Sequence, residues 1–130
     1  MSNRVMKIPG PDHPITIADN PNRVVVKVAG VVIADSARAL ILREANYPAV
    51  QYIPRKDVKM DLLGRSDAHT YCPYKGEASY FSIPAGGARS VDAIWTYEEP
   101  YSAVAAIEGH LAFYPDRVDC IQELVTGEAQ

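Results

Sequence analysis

Proline and glycine interrupt this chain so often that they favour short strands and brief helical turns over long helices. Ten prolines and eight glycines are spread along 130 residues, and both residue types end regular elements. The clearest segments between them are Arg23–Val28 and Val31–Ala34, joined by Ala29-Gly30, a pair that suits a tight hairpin turn. The pattern predicts a mainly β, antiparallel fold of about seven short strands with two or three short helices.

The remaining elements follow from the same signals. Short helices are predicted at Pro54–Leu63 and Pro100–Ile107, because proline suits a first helical turn and a glycine follows each segment. Further strands are predicted at Ala39–Glu44, at Val50–Ile53 and from Leu111 to Tyr114, the last with an extension towards Val118.

The length of the chain suits one domain over residues 1–130, because it can bury a core of its own and contains no linker. The core is expected at about residues 13–119. The ends are expected to be loosely held, and they include Pro9–Pro11 and Thr126–Gln130.

Composition and charge exclude several classes of function. The net charge is −3 and the 13 basic residues are scattered, so nucleic-acid binding is not expected. No apolar run approaches the length of a membrane span, and the N-terminus has no apolar signal-peptide core, so a cytoplasmic location is expected. The two cysteines, Cys72 and Cys120, are too few for a disulfide framework and are interpreted as free thiols.

The run Cys72-Pro73-Tyr74-Lys75-Gly76 carries the most chemical information. It has the shape of a metal-binding knuckle, but Lys75 stands where a second cysteine is usual, and a protonated ammonium group does not bind zinc. The other candidate ligands are His69, His110 and Cys120, and no spacing joins them to Cys72. We expect a tight turn that leads into a strand, with no metal and no cofactor.

A second hairpin is predicted from Glu77 to Tyr97, with Gly86-Gly87 as a two-residue turn. In that register Tyr80 lies opposite Ala93, and Tyr80, Trp95 and Tyr97 share one face of the sheet. Lys75 then borders this aromatic surface. The aromatic side chains could equally be ordinary core, but rings beside a lysine also suit a small anionic or cyclic ligand.

Enzyme chemistry has one candidate in the sequence. Lys75 could lower the pKa of the Cys72 thiol and make it a nucleophile, although no histidine is placed as its base by spacing. Phosphate-binding glycine motifs are absent from the sequence. Asp57, Asp61 and Asp67 lack the spacing of a two-metal site and are interpreted as solvated.

A longer pattern resembles the bacterial family known as domain of unknown function 427, which also carries a nucleotidyltransferase label. The resemblance covers about residues 13–119. The matching residues are Gly30, Ala34-Asp35-Ser36, Ala39-Leu40, Glu44, Tyr52-Ile53-Pro54, Asp57-Val58, Cys72-Pro73-Tyr74-Lys75-Gly76, Ala78, Tyr80, Trp95, Tyr97, Pro100, Ile107, Gly109 and Ala112-Phe113-Tyr114.

The resemblance implies a β-tent-like fold, in which two small antiparallel sheets lean together. Relatives of that fold include zinc-bound chaperone-like modules, methionine sulfoxide reductases and a domain that binds cyclic imides in an aromatic cage. The nucleotidyltransferase label finds no support here, because no Gly-Ser pair followed by paired aspartates is present. The resemblance therefore implies a fold and leaves the activity open.

Together these observations predict an aromatic pocket between the two sheets, with Lys75 at its rim and walls of Tyr80, Trp95, Tyr97 and Tyr114. Binding of an unidentified small molecule is the first functional hypothesis. A thiol-dependent enzyme that uses Cys72, with Lys75 beside it, is the second. A protein-interaction module that uses the same groove is the third.

Overall fold

A computed structural model describes residues 4–125, and this part of the chain folds into three small antiparallel sheets. The first sheet has the order β1-β4-β5, from Ile15–Asp19, Leu40–Glu44 and Val50–Tyr52. The second has the order β10-β2-β3, from Cys120–Leu124, Arg23–Val28 and Val31–Ser36. The third has the order β6-β7-β8-β9, from Gly64–Cys72, Gly76–Ser82, Ile94–Thr96 and Leu111–Phe113.

The mainly β, antiparallel fold is confirmed, with three sheets where the sequence predicted two. The strands that the sequence did not predict are β1, β6 and β10, and each lies at the edge of its sheet. An edge strand can leave much of its surface in solvent, and β6 alternates partly buried with exposed residues. Such strands lack the apolar runs on which the predictions relied.

The two predicted helices are shorter 3-10 turns. Pro54–Leu63 divides into Arg55–Asp57 and Met60–Leu62, because Val58 between them is extended and forms a β-bridge with Ala34. The segment predicted at Pro100–Ile107 is helical from Ser102 to Ile107 and is interrupted at Val104. The strand that begins at Leu111 ends at Phe113, and a 3-10 turn begins at Pro115 in place of the predicted extension.

Two apolar clusters fill the spaces between the sheets. One joins the second and third sheets and includes Val24, Ile33 and Ile94, all fully buried. The other joins the first and third sheets and is rich in tyrosine, with Tyr52, Tyr80 and Tyr97 among its buried members. A backbone bridge between Ile53 and Leu111 connects the end of β5 to β9. The aromatic residues that the sequence singled out therefore belong to the cluster between the first and third sheets.

The N-terminal stretch runs beside the third sheet. Gly10 and His13 exchange backbone hydrogen bonds across Pro11 and Asp12, and the Lys7 N–H donates to the Pro73 carbonyl at 2.9 Å. Thr126–Gln130, expected to be loosely held, lies outside the described residues. Within residues 4–125, no helix has the length and apolar character needed to cross a membrane.

Candidate functional site

The run Cys72–Gly76 forms the tight turn between β6 and β7. Cys72 and Gly76 are paired across the hairpin, and the Lys75 N–H donates to the Cys72 carbonyl at 3.2 Å. Gly76 has φ of 110°, a conformation that glycine adopts without strain. Among residues 4–125, no group of three or more His, Cys, Asp or Glu side chains is arranged to hold a metal ion. The geometry of this run is that of a turn that aims Lys75 inward.

Lys75 is buried, and its predicted place at the rim is wrong. Its side chain is 9% exposed, and its Nζ forms an ion pair with Oε1 of Glu44 at the end of β4. The other oxygen of Glu44 accepts a hydrogen bond from Nε2 of His13 at 2.7 Å. A lysine can be buried in this way because a carboxylate and a hydrogen bond offset the loss of water around its charge.

The Glu44 carboxylate is the centre of this polar group. Its burial tends to raise its pKa, but hydrogen bonds and charge from Lys75 and His13 outweigh burial and hold the pKa below the ordinary value. The His13 ring stacks on Tyr74, with ring centroids 4.0 Å apart. Glu44 is therefore ionised at neutral pH beside an ammonium group, and the two charges cancel.

The β7–β8 pairing places the aromatic residues, with a register that differs from the predicted one. Tyr80 lies opposite Trp95 where Ala93 was expected, because residues 84–90 form 3-10 turns and the connection is longer than a two-residue turn. The shift is by two residues, which keeps each side chain on its predicted face. Trp95 Nε1 donates to the Tyr52 hydroxyl at 3.1 Å, and the Trp95 and Tyr114 rings have centroids 4.5 Å apart.

A cavity of about 190 Å³ lies where these two groups meet. Its lining contains all five residues that the sequence proposed for ligand binding, which are Lys75, Tyr80, Trp95, Tyr97 and Tyr114. Glu44, Tyr52, Leu42 and Val50 complete its inner walls. Tyr47, 66% exposed, and Pro48 border it in the turn between β4 and β5, so the cavity meets solvent at this turn.

Three tyrosines of the cavity, Tyr52, Tyr97 and Tyr114, have raised pKa values and are neutral hydrogen-bonding groups. Burial raises the pKa of Tyr97, and burial raises that of Tyr52 despite the hydrogen bond from Trp95. Burial and the neighbouring Tyr80 hydroxyl raise the pKa of Tyr114 to about 12. The hydroxyls of Tyr80 and Tyr114 share a hydrogen bond of 3.4 Å. At physiological pH the cavity therefore combines aromatic walls, neutral hydroxyl groups and one compensated ion pair.

The family model described as a domain of unknown function, DUF427, matches residues 16–124. The chain belongs to this family. The match includes every residue of the cavity lining and excludes His13. A comparison with curated proteins gives no match. Membership of DUF427 confirms the family predicted from the sequence and leaves the activity to be argued from the site.

Cys72, the candidate nucleophile of the second functional hypothesis, is partly buried and packs against the aromatic cluster. Its thiol is not part of the cavity lining. Among the hydrogen bonds of residues 4–125, none joins this thiol to a histidine, and the His13 ring is engaged with Glu44 and Tyr74. The paired nucleophile and base of a thiol enzyme are thus not formed by the described side chains.

Three residues that form hydrogen bonds at the site, His13, Glu44 and Tyr52, were not proposed as site residues from the sequence. The lining residues Leu42, Tyr47, Pro48 and Val50 were not proposed either. Glu44 and Tyr52 both occur in the DUF427 pattern, and that pattern was the available signal. Glu44 and Lys75 are 31 positions apart, and their contact depends on how the first sheet packs on the third.

Proposed function

We propose that this chain is a binding protein for a small, planar, uncharged molecule with a carbonyl or similar hydrogen-bond acceptor. The observation that carries the proposal is the cavity between the first and third sheets, in which aromatic rings surround a buried, compensated ion pair. A buried pocket with apolar walls and a few convergent polar groups is the usual form of a small-molecule site.

The size of the cavity restricts the ligand. Its volume of about 190 Å³ is below the range of roughly 300–1,000 Å³ that is typical of pockets for drug-sized ligands. The rings of Trp95 and Tyr114 supply faces against which a planar group can stack. A molecule, or part of one, with a single ring fits these dimensions.

The polar groups of the cavity favour an acceptor over a negative charge. The Tyr52 oxygen accepts a hydrogen bond from Trp95, so its own proton is available to a ligand. The Lys75 ammonium has three donors, of which Glu44 takes one. Because Glu44 already neutralises Lys75, a ligand carboxylate would meet no uncompensated positive charge there. A neutral carbonyl oxygen matches these donors.

Trp95 provides a direct test, because it is the one tryptophan in the chain and it lines the cavity. We expect at least one of benzamide, nicotinamide, uracil and succinimide to change Trp95 fluorescence in a saturable manner. The Tyr97→Phe variant removes one cavity hydroxyl, and we expect it to weaken binding by about threefold to tenfold.

The matched control is Tyr101→Phe, which removes a hydroxyl that bonds to Tyr71 outside the cavity lining. We expect this variant to bind as the unaltered protein does. The proposal fails if none of the four compounds changes the emission or the NMR shifts of cavity residues. It also fails if the two tyrosine variants weaken binding equally.

A further inference from the structure

A second, larger cavity adjoins the first. Its volume is about 580 Å³, and it shares Tyr47, Pro48, Val50 and Trp95 with the smaller cavity. Trp95 therefore stands between the two, with polar surroundings on one side and this groove on the other. The exposed turn of residues 45–49 borders both cavities. The two cavities therefore lie side by side at the turn between β4 and β5.

The groove has apolar walls. Its accessible walls are the partly exposed Val50 from β5, Trp95 from β8 and Ile121 from β10, and the buried Val26, Ile53 and Phe113 lie beneath them. These residues come from all three sheets, so the groove exists because the sheets meet here. Burial of an alkyl chain against such walls is favourable by about 25 cal/mol per Å² of apolar surface.

Two polar side chains of the groove, Gln51 and Glu123, already have protein partners. The side-chain oxygen Oε1 of Gln51 accepts a hydrogen bond from the side-chain Nδ2 of Asn20 at 2.9 Å. The Glu123 carboxylate accepts hydrogen bonds from Asn20 and Asn22. A peptide placed in the groove would find few partners for its backbone N–H and C=O groups, and unpaired buried backbone groups are costly. An alkyl chain has no such groups.

We propose that the two cavities form one bipartite site for a soluble amphiphile, a molecule with a planar polar head and a single alkyl chain. The head occupies the smaller cavity beside Lys75, and the alkyl chain lies along the partly exposed Val50 and Ile121. The inference rests on the proposed function for the planar head of the ligand, and it adds an alkyl chain bound in the groove. It also gives Trp95 a specific place, at the junction of head and chain.

An alkyl series tests the bipartite site. Binding of benzamide is compared with that of N-alkyl benzamides from ethyl to octyl, by Trp95 fluorescence and calorimetry. We expect affinity to rise with each methylene, by up to about fourfold, until the groove is filled. A series that binds no more tightly than benzamide overturns the bipartite site while it leaves the proposed function standing.

The Ile121→Thr variant tests where the alkyl chain of the ligand lies. This variant keeps a β-branched residue in β10 but makes one wall of the groove polar. We expect it to reduce the gain from ethyl to octyl at least tenfold and to leave benzamide binding unchanged. The matched control is Leu124→Thr, at an exposed position of the same strand outside the groove. Equal behaviour of the two variants overturns the assignment.

Two further probes separate the possible failures. If neither benzamide nor its derivatives bind but 1-octanol does, the proposed function and the bipartite site both fail. The protein is also mixed with phosphatidylcholine vesicles. If it sediments with them and soluble amphiphiles do not compete, the groove binds the alkyl chain of a bilayer lipid and the proposed class of soluble ligand is wrong. Competition by octyl benzamide, lost in Ile121→Thr, supports the proposal.

Discussion

At the scale of single residues, the ion pair of Lys75 and Glu44 distinguishes this site from an ordinary aromatic core. The two side chains are 9% and 14% exposed, so neither charge is well hydrated. Glu44 has a second partner in His13, whereas Glu44 is the carboxylate partner of Lys75 among residues 4–125. Removal of Glu44 therefore leaves Lys75 without its carboxylate partner, whereas removal of Lys75 leaves Glu44 bound to His13.

This asymmetry predicts different costs for two substitutions. Glu44→Gln leaves a buried ammonium group without its carboxylate, and we expect it to lower the free energy of unfolding by about 3–5 kcal/mol. Lys75→Met leaves Glu44 bound to His13, and we expect a loss of about 1–3 kcal/mol. Urea unfolding followed by Trp95 fluorescence measures both. Equal losses would show that His13 does not support Glu44.

At the scale of elements, the connection between β7 and β8 depends on two glycines for different reasons. Gly87 has φ of 63° and ψ of −145°, a region that is essentially closed to other residues. Gly86 is packed against its neighbours, because a Cβ there would lie 2.0 Å from the Ser90 Oγ and 2.9 Å from a Val28 methyl group. The absence of a side chain at Gly86 therefore lets this segment pack closely against Val28 of β2.

The contacts of Gly86 predict that Gly86→Ala is destabilising. The added methyl group must displace Ser90 or Val28, and overpacking of this kind costs about 1–3 kcal/mol. Gly64→Ala is the control, since a Cβ at Gly64 meets no atom within 4 Å. We expect it to change stability by about 0.5 kcal/mol or less. Thermal unfolding of the two variants checks the difference, and a neutral Gly86→Ala would contradict the packing.

At the scale of the whole molecule, several carboxylates gain stability from cationic partners. Hydrogen bonds from Arg23 hold the pKa of Asp35 below its ordinary value, and Arg65 has the same effect on Glu98. Burial opposes the effect at Glu44, but Lys75 and His13 still lower its pKa. Asp35 and Glu98 lie largely at the surface, so salt screens them more than Glu44.

These lowered pKa values predict the pH dependence of folding. A carboxylate with a lower pKa in the folded state stabilises the protein above its unfolded pKa, and the benefit is lost as the pH falls through the folded value. We expect the melting temperature to be steady near neutrality and to fall below about pH 4, near the ordinary carboxyl pKa. At high salt, Glu44→Gln should flatten the acid limb more than Asp35→Asn. Equal slopes would contradict the special position of Glu44.

Two features of the fold were predicted correctly from local properties of the sequence. The Ala29-Gly30 turn was predicted correctly, since both residues have positive φ and join β2 to β3. The shared face of Tyr80 and Trp95 was correct too, because the observed register differs from the predicted one by two residues and an even shift keeps side chains on the same face. The turn depends on residues adjacent in the chain, and the shared face depends on the alternation of side chains along each strand.

The sequence by itself therefore determined a mainly β chain with one aromatic surface. Tertiary structure decided that Val58 extends to meet Ala34, that β10 joins β2, and that Lys75 is buried against Glu44. Each of these contacts joins segments that are distant in the chain. Their formation depends on the free energy of packing three sheets together, which no local pattern of residues encodes.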